Sequence, residues 1–245
     1  MSSIPVQTAD RSWPARRASS EFSHVGFLVA ETVLLALLVV LTFLVKHHPG
    51  PLTGDVGVEL DVQHALLPHP PIAGMVEAVS TLNWPIPSVI TLAVIVVISL
   101  LLKRWLDVLT VIATAAVADE TSYLFNQWIK RPRPGGYGIH ILSKIANFYS
   151  FPSGHVVHAT AVFGLFLFLS TQIRRPIHPL VIGLIRVLLV AAIILMPISR
   201  ILEGEHWPTD VLAGLLYGGF WLLVAAHAHV WARKRWPRLL ARDER

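Results

Sequence analysis

Six runs of apolar residues, nearly free of charge, succeed one another along the chain at Gly26–Val45, Ile86–Leu102, Leu106–Ile129, Val156–Ile173, Leu180–Ile198 and Val211–Val230. Each is long enough for a helix to cross a hydrocarbon core about 30 Å thick at a rise of about 1.5 Å per residue. The runs are continuous, whereas the strands of a membrane barrel alternate over about ten residues between turns. The pattern therefore predicts an all-α, polytopic bundle of six transmembrane helices. The first run is too long for the core of a cleaved signal, and no small-residue cleavage site follows before His47-His48-Pro49, so it is expected to be retained. Between the first two spans, His47–Pro85 carries Asp55, Glu59, Asp61 and Glu77 and a proline-rich break at Pro68–Pro71, and is too polar to cross. Its apolar positions around Val62–Leu67 and Ile72–Leu82 recur at helical spacing, which predicts short amphipathic helices on the extracytoplasmic surface.

Composition agrees with this pattern. Of 245 residues 54% are hydrophobic and 14% charged, and mean hydropathy is +0.61, which excludes an ordinary soluble domain. Six spans leave no room for a second sizeable domain, so the expected organisation is an N-terminal tail (1–25), one membrane domain (26–230) and a basic C-terminal tail (231–245). The chain has no cysteine, which removes disulfides, thiolate nucleophiles and cysteine-based zinc sites.

Lysine and arginine exceed aspartate and glutamate by 20 to 15, but the excess follows the spans and does not form a nucleic-acid-binding face. One membrane side collects Arg11, Arg16, Arg17, Lys103, Arg104, Arg174, Arg175 and the tail cluster Arg233, Lys234, Arg235, Arg238, Arg242 and Arg245. The other holds Lys46, Lys130, Arg131, Arg133, Lys144 and Arg200. Positive charge is retained inside, so both termini are expected in the cytoplasm of a cell bounded by this membrane, most simply a bacterial plasma membrane.

Three polar segments then emerge together on the extracytoplasmic side. Lys130-Arg131-Pro132-Arg133-Pro134 ends the third span in a stiff, extended stretch, and paired arginines suit bidentate recognition of phosphate; a basic membrane-flanking anchor is the alternative. Pro152-Ser153-Gly154-His155 sets a capping serine and a glycine before a helix whose free amides attract an anion, or it is a cap followed by a solvated histidine. In the third segment, from Ser199-Arg200 to Asp210, Pro208 fits a first helical turn. Asp210 there is able to accept a proton from one nitrogen of His206, aiming the other outward as a lone pair, or it merely complements the helix dipole.

Together the segments resemble the type 2 phosphatidic acid phosphatase superfamily, whose signature is K-x6-R-P, P-S-G-H and S-R-x5-H-x3-D. The second motif is matched by Pro152-Ser153-Gly154-His155 and the third by Ser199-Arg200, His206 and Asp210, in the family's order, and the resemblance covers roughly residues 60 to 230. The first motif departs: seven residues before Arg133-Pro134 stands Asn126 in place of lysine, and Lys130, one turn later, is the candidate substitute. The resemblance implies that His206 attacks phosphorus, that Asp210 orients it, and that His155 protonates the leaving group and then activates water. Arg133, Ser153, Gly154, Arg200 and Lys130 would hold phosphoryl oxygens. It implies no metal and no cofactor, since phosphoryl transfer is mainly positioning and charge stabilisation; no obligate protein partner can be inferred from the sequence. A lipid phosphate or polyprenyl diphosphate is the expected substrate.

Rival readings are a zinc site of His155, His158, His206 and Asp210, a Ser153 nucleophile with a histidine base, a phosphotransferase, and a silent lipid-phosphate carrier or binding protein. Asp119 and Glu120 deep in span three call for a structural partner, for which Arg186 is one candidate. Glu31 has no assigned partner, and His158 is left outside the site.

Overall fold

The computed structural model describes residues 24–142, 149–173 and 178–237, and every regular element among them is helical. The expected N-terminal tail up to residue 23, Lys144, Arg174 and Arg175, and Arg238, Arg242 and Arg245 lie outside the described residues. In chain order the helices are α1 (His24–His47), α2 (Asp55–Leu66), α3 (Pro70–Ser80) with a 3-10 turn at Thr81–Asn83, α4 (Pro85–Leu101), α5 (Trp105–Ile129), α6 (Gly154–Thr171), α7 (Pro179–Leu202) and α8 (Pro208–Arg235). Prolines open α3, α4, α7 and α8, where the missing amide proton would have been unpaired anyway.

Of these, α1, α5, α6, α7 and α8 are long and apolar enough to cross a membrane. The second predicted span is realised as α4, only 17 residues long; it meets the same standard when joined to Pro70–Asn83 across a bend of 72°. The described residues thus hold five such helices, or six with the bent pair counted. Two boundaries move for physical reasons. The fifth predicted run, with Pro197 inside it, continues past Ile198 to Leu202, so Ser199 and Arg200 ride on the last turn of a helix and not in a connecting turn; proline is tolerated inside membrane helices when neighbours re-satisfy the freed carbonyl. The sixth run extends to Arg235, where basic residues fill the last turn.

The bundle is built around α6. Two-thirds of its apolar window (67%) is buried, against 22% for α1 and 11% for α7, whose exposed leucines and valines form the apolar exterior. Val156, Ala159, Val162, Leu165 and Leu169 of α6 join Val111, Ala115 and Met196 in the main core. α8 presses closely on its first turns. A Cβ on Gly214 would lie 2.8 Å from the Val156 Cβ and 3.0 Å from the Ser153 carbonyl, and one on Gly218 would lie 2.7 Å from both the Thr160 Cβ and the Val157 carbonyl. This Gly-x-x-x-Gly stripe lets two backbones meet where side chains would hold them apart. Just beyond, Ala159–Phe163 is wound as π-helix, a form found mostly as single turns inside helices, often at functional sites.

The expected amphipathic helices between the first two spans exist as α2 and α3, with Val62 and Leu66 of α2 partly buried against the core, but the fully buried stripe of α2 is not its apolar one. That stripe is polar, made of Asp55, Glu59 and Gln63, while Val58 is exposed. The spacing of four places the three on one stripe. Gln63 latches the chain beneath it, donating to the carbonyls of His140 (2.7 Å) and Leu202 (3.1 Å) and accepting from the His140 amide (2.9 Å). At the same place Gly204 has φ +69° and any Cβ there would meet the His140 carbonyl at 2.6 Å, so the turn after α7 requires glycine. α3 packs conventionally, with Ala73 and Val76 against Leu202.

Three isolated polar groups within helices find partners. Asp119 pairs with His158 at 2.8 Å and not with Arg186, which instead donates to the hydroxyl and carbonyl of Ser170. Glu31 pairs with His227 at 3.0 Å.

The α6–α8 contact yields a stability prediction. Gly218→Leu should separate the helices and cost about 1–3 kcal/mol, the usual penalty of overpacking, read as a lower melting temperature in detergent; an unchanged melting temperature would contradict the packing described.

Candidate active site

The segment after α5 turns sharply because Lys130 adopts a left-handed conformation (φ 58°), its amide closing on the Asn126 carbonyl. The next residue points inward. Arg131 is fully buried and donates to Asp210 (2.5 Å), Asp55 (2.8 Å), the Thr209 hydroxyl (2.7 Å) and the carbonyl of Gly50 (2.9 Å). Its guanidinium also lies 5.9 Å from the Trp207 ring centroid. Asp55 in turn accepts from the amide and hydroxyl of Thr209, and Asp210 from the amide of Trp207 (2.9 Å), which caps α8. One arginine therefore joins α2, the stretch after α5 and the start of α8.

On that base stands His206, almost wholly buried in the loop before α8. Its Nδ1 lies 2.7 Å from the carbonyl of Ser150 and 4.0 Å from Asp210. A carbonyl only accepts, so Nδ1 carries the proton and Nε2 of the neutral ring holds the lone pair. The partner expected from the sequence, Asp210, is thus next to the ring while the direct hydrogen bond goes to Ser150. Ser150 is itself fixed, its amide donating to the Arg131 carbonyl (2.9 Å) and its hydroxyl to those of Arg131 (3.2 Å) and Pro132 (3.0 Å). Burial, Arg133, Arg200 and His155 push the His206 imidazole well below its ordinary 6.5, so it stays neutral through the physiological range.

His206 faces a cavity of about 950 Å³ shared with Arg133, Arg200, His155 and Gly154. Arg133 Nη1 is 3.5 Å from His206 Nε2. His155 comes from the first turn of α6; its carbonyl accepts from Asn83 (2.7 Å), and its Nε2 has no hydrogen-bond partner among the described residues. The two arginines are bridged by an acid: Glu205 Oε2 lies 2.8 Å from Arg200 and 3.2 Å from Arg133, and Glu203 lies 2.7 Å from Arg200. Burial raises Glu203 above its usual range, against the pull of Arg200, and burial lowers Arg133.

Other expected site residues stand apart from the cavity. Asp210 is behind its wall, held by Arg131. Ser153 is buried with no hydrogen-bond partner for its hydroxyl among the described residues, its amide donating to the Asp210 carbonyl (3.1 Å). Lys130 is exposed and lies outside the lining, because the left-handed turn ends the helix there. Asn126, in the place of the motif lysine, does line the cavity, where it donates to the carbonyls of Tyr149 (2.8 Å) and Phe151 (3.2 Å) and braces the chain before Pro152. The zinc reading loses ligands, since Asp210 is spent on Arg131 and His158 on Asp119. Arg131, expected beside Arg133 as half of a phosphate clamp, turns inward to Asp55 and Asp210 instead and is absent from the cavity lining. Asp55, Ser150 and Glu205 are the site residues that the sequence did not single out; only the acid-rich spacing Glu203-Gly204-Glu205 beside Arg200 offered a local signal.

The model of the PAP2 superfamily matches residues 88–234. Over 109 residues the chain is 33% identical to a lipid A 1-phosphatase of Rhizobium etli, a match covering 42% of either chain, so it spans less than half of that relative's length. Over 167 residues it is 30% identical to a decaprenylphosphoryl-5-phosphoribose phosphatase of Mycobacterium tuberculosis, covering 67% of this chain and 85% of the relative. Its fold is similar to the crystal structure of a transmembrane PAP2-type phosphatidylglycerolphosphate phosphatase from Bacillus subtilis, with a TM-score of 0.67 at 18% identity over 80% of this chain and 94% of that one.

Two predictions follow from the buried charges. Arg131→Gln leaves Asp55 and Asp210 without their cation and should cost about 3–5 kcal/mol of stability, the usual penalty for breaking a buried pair, whereas Arg133→Gln should leave the protein folded; thermal unfolding of both in detergent distinguishes the roles. Glu59 is fully buried, neither oxygen has a hydrogen-bond partner among the described residues, and burial, Asp210 and Asp55 raise it to about 8. The folded protein therefore binds a proton there that the unfolded chain releases above its ordinary value of 4.5. That contribution falls as pH rises from 4.5 toward 8 and is complete only below that window. Glu59→Gln should remove this slope, so the melting temperature of the variant gains on the wild type between pH 5 and 8.

Proposed function

The chain belongs to the PAP2 superfamily, and from that premise we propose that it is an integral membrane phosphatase that hydrolyses a lipid phosphate or polyprenyl diphosphate on the extracytoplasmic side through a phosphohistidine. The observation that carries this reading is the bond from His206 Nδ1 to the Ser150 carbonyl, which leaves Nε2 as a lone pair facing the cavity shared with two arginines and a second histidine.

In the proposed mechanism His206 Nε2 forms a bond to phosphorus as the ester or anhydride P–O bond breaks, and His155 gives its proton to the departing oxygen. The phosphorylated imidazole is cationic, and the Ser150 carbonyl with Asp210 at 4.0 Å stabilises it. His155 then takes a proton from water, the hydroxide attacks phosphorus, the P–N bond breaks and inorganic phosphate leaves. Arg133, Arg200 and the backbone at Gly154 hold the phosphoryl oxygens, with Ser153 fixing the helix start. The phosphate meets Glu205 between the arginines and must share or displace it. No step calls on a metal or cofactor.

A lipid substrate is supported by the cavity's side wall. Trp84 and Tyr123, at the start of α4 and on α5, line the cavity and are about half exposed, so an amphiphile in the apolar phase would reach the histidines laterally. The lipid A and decaprenyl-linked phosphates in the relatives' names are of this class. Positive charge at Lys103, Arg104 and in the C-terminal segment supports cytoplasmic termini in a bacterial plasma membrane.

Asn126 favours a second reading, a carrier or phosphotransferase, because it braces carbonyls where the family motif has a cation. Turnover decides between them. Purified protein in detergent should release inorganic phosphate from lipid phosphates, His206→Ala should abolish release, and His155→Ala should lower it by about 10²–10⁴-fold. An acid-labile phosphoramidate should be trapped. Full turnover by His206→Ala, or a stable phosphoserine at Ser153, would overturn the assignment.

A further inference from the structure

The cavity is of a size that encloses a whole small-molecule ligand, and its second polar cluster takes no part in the chemistry above. One turn beyond His155 on α6, His158 is 7% exposed and lines the cavity. Its Nδ1 is 2.8 Å from Asp119 Oδ2, and its Nε2 is buried with no hydrogen-bond partner among the described residues. Asp119 belongs to α5, ten residues before Ile129, about 15 Å along the helix at 1.5 Å per residue. At that depth a carboxylate is expensive unless it faces a partner or a polar cavity, yet the Asp119 side chain is 45% exposed and lines the same space. The hydroxyls of Ser88, Ser122 and Tyr123 line it too.

The chemistry of the pair is one-sided. With Nδ1 of His158 turned to one oxygen of Asp119, what the pair offers the cavity is the carboxylate's remaining lone pairs, which accept. A ligand that satisfies them must donate. The hydrocarbon that adjoins the phosphate of a simple polyprenyl phosphate offers no donor and would leave the carboxylate without one, and a site built to pair with donors discriminates strongly against an analogue that lacks them.

We propose that Asp119 and His158 form a head-group subsite that accepts hydrogen bonds from hydroxyl groups lying next to the phosphoester, so that the substrate carries a sugar or polyol between its phosphate and its acyl or prenyl chains. This rests on the phosphatase reading above and narrows it. Asp119 acts on the part of the substrate that does not react, so it is a specificity residue and not a catalytic one.

The test compares kcat/KM for phosphate release by the full chain in detergent on two donor-bearing lipids, an acylated glucosamine 1-phosphate and phosphatidylglycerophosphate, and two donor-free lipids, phosphatidic acid and a polyprenyl monophosphate. Wild type should favour the better donor-bearing lipid by at least about tenfold, consistent with one lost hydrogen bond to a charged group, and whichever of the two leads identifies the head group as sugar or glycerol. Asp119→Leu should cut that ratio by tenfold or more. Asp119→Asn, which keeps the shape and removes the charge, should cut it at least threefold and serves if the leucine variant does not fold. A wild-type ratio near one, or equal loss on all four lipids in the variants, overturns the subsite. Soluble p-nitrophenyl phosphate separates the two failures: its hydrolysis with no preference among lipids removes the subsite alone, whereas no release from any substrate removes the phosphatase reading and the subsite with it.

Discussion

The site depends on a single buried cation. Arg131 has no exposure and pairs with both Asp55 and Asp210, two carboxylates that come from different parts of the chain and are equally hidden. Removing three charges from water is costly, and only close geometry with further hydrogen bonds offsets it. Those bonds are present: Thr209 donates to Asp55, Trp207 donates to Asp210, and the carbonyl of Gly50 accepts from Arg131. The arrangement fixes the entry to α8, which carries the loop holding His206, and the carbonyl of Arg131 fixes Ser150, which orients the ring. Asp210 thus influences His206 at second hand, through the cluster that holds the loop and through its field at 4.0 Å.

The electrostatics of the cavity are a balance of opposed charges. Arg133 and Arg200 would repel each other and any protonated histidine, and Glu205 lies between them at 3.2 and 2.8 Å. The acid allows two guanidiniums to be gathered at one point and stay converged before any substrate arrives. The same arginines, with burial, keep His206 neutral, so the groups proposed to hold the phosphate also keep the proposed nucleophile unprotonated.

Much of this was readable in the residues alone. The six apolar runs correspond to helices within a few residues, and His155, His206, Arg133, Arg200 and Gly154, widely separated in sequence, line one cavity. What escaped reading has a common cause, pairing over long sequence separation. Arg131 looks like half of an exposed basic cluster until its partners 76 and 79 residues away are known. The apolar positions of α2 pack inward as its periodicity suggests, but the polar stripe Asp55, Glu59 and Gln63 escaped notice because its partners are distant carbonyls and an arginine. Lys130 fell outside the cavity because one left-handed residue reverses the direction in which a helix face would have carried it.

The Gly214 and Gly218 stripe bears on how such a molecule changes over generations. The outer faces of α1 and α7 expose leucine, valine and isoleucine to apolar surroundings, where one exchanges for another at small cost. The two glycines have no such latitude, since alanine already brings a methyl within 3 Å of the neighbouring helix. In a molecule whose outer surface tolerates exchange, two hydrogen atoms on one helix set how close the neighbouring helix, and the histidine on its first turn, can come.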